Sequence, residues 1–257
     1  MKIVFIGAGN LATHLSLALQ QMGEQIVQVY SRTKTSASEL AALLSVPYTT
    51  STDKIIADAD VYFYTVSDDA LESLVQLPFA TNAIHVHTAG SVSMDIFQGK
   101  KKNFGVFYPL QTFSKAKQVN FNKIPLFIEA SSPEVETELF RLAHVVSEQV
   151  YRTNSEQRLK LHVSAVFACN FVNHMYQIAF EMVKSADLPF EVLKPLILET
   201  AEKVMHLSPE QAQTGPAKRN DQGVINKHLE VLVELPALKQ LYQDLSDMIL
   251  NQYLHQS

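Results

Sequence analysis

Cysteine and long apolar runs are almost absent from this sequence. Cys169 is the one cysteine among 257 residues, which excludes an intramolecular disulfide and any cysteine-rich metal site. No stretch approaches the roughly eighteen uninterrupted apolar residues that a membrane-spanning helix needs. The first apolar segment is too short, and is broken too soon by glycine, to be a signal peptide. We therefore expect a cytoplasmic protein without a membrane partner.

Charged residues are also scarce. They make up 18% of the chain against 47% apolar residues, and the net charge is -5. An acidic chain does not offer the basic surface that attracts nucleic acid or anionic membranes, so nucleic acid is not an expected partner. The low charged fraction means that more surface must be hidden than in an average monomer, which indicates an oligomer. The length suffices for two modest domains.

The chain opens on a short apolar strand that runs straight into a glycine motif and a helix. The motif is Gly7-Ala-Gly9-Asn10-Leu11-Ala12. Gly7 permits the tight turn, Gly9 lets the backbone approach a pyrophosphate, and Ala12 keeps the helix close to the strand. The first N–H groups of the helix then face the phosphates. This order of elements predicts a dinucleotide site at residues 7 and 9–12; the alternative is a glycine turn without a ligand.

The second strand ends at a basic turn, Ser31-Arg32-Thr33-Lys34. A site for NAD usually offers a carboxylate here to the ribose 2′-OH, but residues 25–38 contain no Asp or Glu. Arg32 and its neighbours can instead hold a 2′-phosphate, and Arg32 can also stack on adenine. The sequence therefore predicts NADP as the cofactor, with Ser31 and Arg32 as binding residues. The alternative is a solvated basic turn.

Strand and helix patterns alternate over the first part of the chain. Strands are expected at residues 1–6, 25–30, 46–50, 60–66, 83–88, 104–108, 124–129 and 149–152. Near-continuous apolar strands that alternate with helices are typical of a parallel, doubly wound sheet. From residue 155 onward the patterns are helical only. We therefore predict an α/β domain over residues 1–153 and an all-α domain over residues 154–257.

The longest helical pattern covers residues 155–186, and its middle, residues 163–172, is apolar on most faces. Such a helix must be enclosed on nearly all sides. The few helices that follow cannot supply that much cover, so we expect a homodimer through the helical domain. Polar residues at three positions, His162, Asn170 and His174, are spaced by eight and four and fall along one stripe of an otherwise apolar helix. A catalytic stripe that faces the cofactor and a satisfied polar seam in a dimer core both fit this pattern.

A loop further along, Thr214-Gly-Pro-Ala-Lys-Arg-Asn-Asp221, contains the two cations Lys218 and Arg219. They could hold a carboxylate or a phosphate of the substrate. Asp221 is also a good N-cap for the helix that follows, so a simple helix connection is the alternative.

Several motifs together make the chain resemble a known family. It resembles the NADP-binding Rossmann proteins grouped with deazaflavin-dependent NADP oxidoreductases and pyrroline-5-carboxylate reductases, and most closely those that add a helical domain of unknown function, DUF2520. The motifs are Gly7-Ala-Gly-Asn-Leu-Ala12, Ser31-Arg32, Thr65-Val-Ser-Asp-Asp69, His87-Thr-Ala-Gly90, Phe107-Tyr-Pro-Leu-Gln-Thr-Phe113, residues 162–170 and Thr214-Gly-Pro-Ala-Lys-Arg-Asn-Asp221. The resemblance implies a Rossmann sheet followed by an all-α domain like the C-terminal domain of 6-phosphogluconate dehydrogenase. One departure is Tyr108, where relatives usually carry histidine, and it argues against an essential proton-transfer role at this position.

The resemblance also implies where nicotinamide and substrate lie, and the strand order agrees. Ligands of open α/β sheets bind outside the carboxyl ends of the strands. Residues that should border the cofactor are therefore Val66, Ser67, Thr88, Ala89 and Gly90.

Four titratable residues near these strand ends have structural interpretations as well. Asp68 and Asp69 begin a helix, so capping is the preferred explanation for them. His85 and His87 share one face of a buried strand, where a neutral, hydrogen-bonded histidine is the usual case. His87 is the better functional candidate because it lies at the end of the strand.

The residues as a set favour an NADP-dependent oxidoreductase that acts on a small polar carbonyl, imine or hydroxy compound. We assign His162 as the acid, Asn170 to orient the substrate and Arg219 to bind an anionic substrate group. The competing interpretation is a non-catalytic protein that binds NADP as a sensor or an assembly element. A third is a carrier of hydride from a reduced deazaflavin to NADP.

Overall fold

The computed structural model describes residues 1–79 and 82–254, which form two compact units. The first unit runs from Met1 to His174, and the second begins at Met175. The first unit contains the sheet and the helix that follows it, whereas the predicted domain boundary at residue 153 lies directly after the last strand. No helix of the described residues is long and apolar enough to cross a membrane.

Eight strands form one sheet in the first unit. They are β1 (Lys2–Ile6), β2 (Gln25–Tyr30), β3 (Tyr48–Thr49), β4 (Val61–Tyr64), β5 (Ile84–His87), β6 (Asn103–Pro109), β7 (Leu126–Ala130) and β8 (Val150–Arg152). Their spatial order is β3-β2-β1-β4-β5-β6-β7-β8. Every neighbouring pair is parallel except β6 and β7. The predicted doubly wound, mainly parallel sheet is therefore confirmed.

Both faces of the sheet are covered, which explains why its strands are apolar without alternation. The helices of the first unit that precede the last strand are α1 (Asn10–Gln21), α2 (Lys34–Leu44), α3 (Asp68–Leu74) and α4 (Pro133–Val146). Along β1, Ile3 and Phe5 pack in one core cluster with residues of α1, α2 and α4. Val4 and Ile6 pack in the other cluster, with residues of α3. The chain order reverses beside β1, so the carboxyl ends of β1 and β4 open the crevice in which ligands of such sheets bind.

The long helical pattern after the sheet is not one regular α-helix. Helix α5 (Ser155–Ala165) begins at a capping box of Asn154 and Gln157, the backbone is π-helical over Val166–Phe171, and helix α6 (Val172–Ser185) follows. A π-helical turn holds more residues than an α-helical one, because its hydrogen bonds join residues five apart. The π-helical turn therefore interrupts the regular α-helix expected here and changes the angular positions of residues 162, 170 and 174, so their common stripe stays a prediction.

The second unit is helical. It contains α7 (Lys194–His206), α8 (Pro209–Ala212), α9 (Gln222–Val231) and α10 (Pro236–Leu254). The side chain of Asp221 accepts a hydrogen bond from the Val224 N–H, so the predicted N-cap is present at the start of α9. A hydrogen bond of 2.8 Å between His228 and the Tyr242 hydroxyl joins α9 to α10. The helical character predicted for this part of the chain is confirmed.

Candidate functional site

The glycine motif after β1 has the backbone that a dinucleotide site needs. Gly7 has a φ of +118°, and a Cβ atom at this position would lie 2.3 Å from the carbonyl oxygen of Thr65. No other residue type fits there. The space around Gly9 is open, because no neighbouring atom lies within 4 Å of where a Cβ atom would stand. Gly9 is also the N-cap of α1 and provides no side-chain cap, so the first N–H groups of α1 are open to a ligand.

A cavity of about 700 Å³ lies in front of this turn. Six residues predicted to bind the cofactor line it: Gly7, Gly9, Ser31, Arg32, Val66 and Ser67. The structure therefore brings together the ends of β1, β2 and β4 that the sequence assigned to one cofactor. Its open glycine backbone and uncapped helix suit a pyrophosphate, and its volume is in the range of cofactor sites.

The basic turn after β2 also lines this cavity. Arg32 is exposed, and it makes no ion pair with a described residue. The carboxylate among the lining residues is Asp69, which belongs to α3 and does not follow β2. The position that would bind a ribose 2′-OH in an NAD site is therefore occupied by Ser31 and Arg32.

The other predicted members of the glycine motif lie in the first turn of α1. Ala12 is fully buried against the sheet, while Leu11 is half-buried. The side chain of Asn10 donates a hydrogen bond of 2.8 Å to the carbonyl oxygen of Phe113. This contact ties α1 to the segment that follows β6.

At the end of β5, the backbone of Ala89 and Gly90 is held by a buried arginine. Nη1 of Arg158 donates to the carbonyl oxygens of Ala89 and Gly90, at 2.8 Å and 3.0 Å. Thr88, the residue before them, is also buried. The predicted nicotinamide edge is thus a fixed backbone segment and not a loose loop.

His162 lies directly against this segment. A Cβ atom at position 90 would stand 2.5 Å from His162 Nδ1, so only glycine leaves room for the imidazole. The structure therefore brings His162 together with Gly90, although 72 positions separate them in the chain.

Tyr108 is the hydrogen-bond partner of His162. Its hydroxyl oxygen lies 3.1 Å from His162 Nδ1, and its side chain is buried at the end of β6. Burial raises the pKa of the Tyr108 phenol, and the positive charge of Arg158 offsets part of that rise. The phenol is therefore protonated at neutral pH and can donate to Nδ1. A neutral His162 then carries its own proton on Nε2.

The carboxylates at the start of α3 do not cap it. The N-cap is Ser67, and Asp68 and Asp69 occupy the first turn. The Asp68 carboxylate accepts a hydrogen bond from the Ser91 hydroxyl. The capping interpretation of these residues is therefore wrong, because Asp68 joins α3 to the segment after β5 instead.

His85 and His87 are both buried on β5, as the pattern predicted. His85 Nδ1 lies 3.1 Å from the hydroxyl of Tyr64. The Ala89 N–H donates to His87 Nδ1, at 3.2 Å. Burial and, to a lesser extent, the charge of Arg158 lower the pKa of His87 to about 3, although a hydrogen bond with the Ser93 backbone acts in the opposite direction. His87 is therefore neutral at physiological pH.

Two of the predicted catalytic residues take no part in the hydrogen bonds described above. Asn170 is exposed in the π-helical turn, and its side chain makes no hydrogen bond to another described residue. Arg219 is exposed in the second unit, where it likewise has no ion pair within the described part of the chain. Its neighbour Lys218 donates to the Gln213 carbonyl oxygen and lies over the Tyr253 ring.

Sequence reasoning missed Arg158 and its partners. Arg158 precedes His162 by four residues, so both lie on one face of α5, and this spacing was the available signal. The contacts of Arg158 with β7 and with the segment after β5 join distant parts of the chain, for which the sequence carries no local pattern.

Comparison with known proteins places the chain in a family. Residues 2–85 match the family model of the coenzyme F420-dependent NADP oxidoreductases, and residues 124–249 match the domain of unknown function DUF2520. A Bacteroides fragilis crystal structure, provisionally designated an NADP oxidoreductase, is 49% identical, with a TM-score of 0.92 over 97% of this chain and 98% of that chain. The chain therefore belongs to the NADP oxidoreductase family, which confirms the predicted family and NADP as the cofactor. A search of curated protein sequences found no match.

More distant structures share the fold. A pyrroline-5-carboxylate reductase from Streptococcus pyogenes is 15% identical, with a TM-score of 0.65 over 98% of both chains. An imine reductase from Myxococcus stipitatus, solved in complex with NADP+, is 14% identical, with a TM-score of 0.68 over 99% of this chain and 93% of that chain. At these identities the likeness shows a common architecture over the whole chain and leaves the substrate open.

Proposed function

We propose that the protein transfers hydride between NADP(H) and a small polar carbonyl, imine or hydroxy compound. The observation that carries this proposal is the placement of His162 against Gly90 and Tyr108, at the carboxyl edge of the same sheet whose neighbouring strands form the dinucleotide cavity. Hydride transfer to a C=O or C=N bond leaves charge on the heteroatom, which a nearby N–H or O–H donor stabilises.

The chain's residues divide this work between them. The backbone around Gly9 and the start of α1 would hold the pyrophosphate, and Ser31 and Arg32 the 2′-phosphate. The cofactor supplies or accepts the hydride when it is bound. His162 donates a proton or a hydrogen bond to the substrate heteroatom. Tyr108 holds the imidazole in place through its hydrogen bond to Nδ1.

Two further assignments complete the proposal. Asn170 would orient a polar substrate, because its amide is exposed and free to bond. Arg219 would bind an anionic substrate group, because its guanidinium is exposed as well. Alanine variants of either residue are expected to raise KM more than they lower kcat, since both residues would bind substrate and transition state alike.

The function is tested by following NADPH oxidation with a panel of small ketones, aldehydes and cyclic imines, with and without an added acidic group. Turnover of any one class supports the proposal and names the substrate chemistry. Tight NADPH binding without turnover on the whole panel would support the non-catalytic sensor. Hydride exchange with a reduced deazaflavin would support the carrier.

We expect NADPH to bind about tenfold more tightly than NADH, a difference of about 1.4 kcal/mol that one charge-assisted phosphate contact can supply. The Arg32→Ala variant should lose this preference. Calorimetric titration of both nucleotides measures it. The matched control is Arg152→Ala, which removes an exposed arginine from β8 and should leave the preference intact. Equal affinities in the unmodified protein would refute the role of Arg32.

We also propose a homodimer through residues 154–257. Three large apolar side chains of the α5–α6 region are about half exposed or more: Val163 (48%), Phe167 (62%) and Phe171 (49%). Soluble monomers rarely leave such side chains grouped at the surface, and a two-fold partner that offers the same helix would cover them.

Light scattering should accordingly give about twice the chain mass of 28.8 kDa. Phe167→Glu places a charge in the proposed interface and should shift the protein toward the monomer. Leu43→Glu is the matched control, because Leu43 is also 61% exposed but belongs to α2. A monodisperse monomer in the unmodified protein is the result that excludes the dimer.

A further inference from the structure

Arg158 is the largest side chain that the first unit buries completely, with an exposed fraction of 0%. It stands on α5, four residues before His162. Its Nη1 atom donates to two consecutive carbonyl oxygens, those of Ala89 and Gly90. Its Nη2 atom donates to Glu129 Oε2 and to Ser155 Oγ, both at 3.1 Å. One guanidinium therefore joins α5, β7 and the segment after β5.

Glu129, Ser155 and Arg158 form what we term the Arg158 cluster. The Ser155 hydroxyl lies 2.9 Å and 3.0 Å from the two carboxylate oxygens of Glu129, and the Ser155 N–H donates to Glu129 Oε1. The same hydroxyl accepts the Met94 N–H, so the chain beyond Gly90 is bound to the cluster as well. The cluster has no net charge, and its geometry is fixed from several elements.

Burial of a guanidinium is expensive, and a well-packed apolar side chain is often equally stable in such a place. Stability alone therefore gives little reason for an arginine here. The planar fork of Arg158 does what an apolar side chain cannot, because it sets the direction of two successive peptide groups at once. Those peptide groups belong to the segment against which His162 packs.

We propose that Arg158 is a positioning residue, which fixes the Ala89–Gly90 backbone and the neighbouring His162 for the nicotinamide half of NADP(H). This inference rests on the proposed function, since it takes the edge after β5 as the nicotinamide site. The proposed role of Arg158 concerns only the nicotinamide half of the cofactor. The adenosine half binds at the cavity of Ser31 and Arg32, which the Arg158 cluster does not line.

The division into halves gives a test by ligand binding. Two ligands are titrated by calorimetry, namely NADPH and 2′-phospho-ADP-ribose, which lacks the nicotinamide ring. In Arg158→Met we expect about a tenfold loss of NADPH affinity, with less than about a twofold change for 2′-phospho-ADP-ribose. Arg32→Ala is the matched control, and it should weaken both ligands.

A second variant covers the case in which Arg158→Met does not fold. Ser155→Ala keeps both charges of the cluster and removes only the hydroxyl that joins Arg158 to Glu129 and Met94. It should weaken NADPH alone, by about threefold. Arg158→Lys retains the charge without the fork and should not restore NADPH affinity, because a single ammonium cannot hold two peptide groups in a fixed plane.

A spectroscopic measurement accompanies the titrations. Because the charge of Arg158 helps to lower the pKa of His87, an NMR titration of His87 should show a higher pKa in Arg158→Met and an unchanged one in Arg32→Ala. If both cluster variants, Arg158→Met and Ser155→Ala, bind each of the two ligands as tightly as the wild type does, the inference is overturned. An equal loss of both ligands in these variants would overturn it too, because it would show a general structural role. A wild-type protein that binds neither ligand would overturn the proposed function itself.

Discussion

Replacing His162 by alanine should lower kcat by about 100-fold and leave the affinity for NADPH unchanged. The substitution removes the ring that packs on Gly90 and bonds to Tyr108, and His162 is not among the residues that line the dinucleotide cavity. A positioned acid contributes to the rate only while charge develops on the substrate, so the loss should fall on kcat. Steady-state kinetics with the substrate found in the panel, together with NADPH titration, measures both quantities.

Two controls separate chemistry from folding. His174→Ala removes an exposed histidine from the same helical region and should leave kcat unchanged. Tyr108→Phe keeps the buried ring and removes only the hydroxyl, and its kcat should fall between those of the wild type and His162→Ala. A His162→Ala protein with full activity would rule out an acid at this position. A variant that loses solubility would support a structural histidine in its place.

Mild acid should destabilise this protein through His87. The unfolded chain takes up a proton on this histidine near pH 6.5, whereas the folded protein resists it until about pH 3. Between these values the unfolded state binds more protons, so the free energy of unfolding falls as the pH falls. The loss approaches about 5 kcal/mol at the lower limit, from the relation of about 1.4 kcal/mol per pH unit. Above pH 6.5 this group has no effect.

The pH range from 6.5 down to 4.5 is the part in which a loss of stability can be assigned to His87. By pH 4.5 the expected loss from His87 is about 2 to 3 kcal/mol. The carboxyl of Glu24, held by Arg141 and the N-terminal amine, has a lowered pKa and adds its own loss of stability only below pH 4.5. The groups described around His87 are Arg158, the Phe97 ring and the backbone of Ala89 and Ser93, with no carboxylate among them.

Urea unfolding at a series of pH values measures the effect. His87→Gln should be less stable than the wild type at neutral pH, but its stability should change much less between pH 6.5 and 4.5. Parallel pH profiles for the two proteins would be evidence against a buried, neutral His87. The comparison does not depend on the absolute stability of either protein, because only the slopes with pH are compared.

The sequence predicted the fold well where local patterns decide it. The strand before Gly7, the helix after Gly9 and the apolar strands of the sheet all follow from short-range periodicity and from the backbone freedom of glycine. The position of the cofactor cavity could be predicted as well, because the carboxyl ends of parallel strands meet at one edge of the sheet, irrespective of the loop sequences. Six of the predicted cofactor residues accordingly line one cavity.

The surroundings of His162 were harder to predict, for two physical reasons. The contact of His162 with Gly90 and Tyr108 joins three distant elements, and only the packed fold determines it. The π-helical turn at Val166–Phe171 then changes the register of the helix, so spacing rules for a regular α-helix fail between His162 and Asn170. The hydrogen bond to Tyr108 also gives that tyrosine a place beside the proposed acid, where the resemblance argued against a proton-transfer role.

The tight packing of Gly90 beneath His162 has an evolutionary consequence. A side chain at position 90 would displace the imidazole, so the two positions cannot change independently. Relatives that carry alanine or serine at the position of Gly90 should carry a smaller residue in place of His162, and would therefore need another proton donor. Joint variation of these two positions across homologous sequences would thus mark the points at which the family exchanged one chemistry for another.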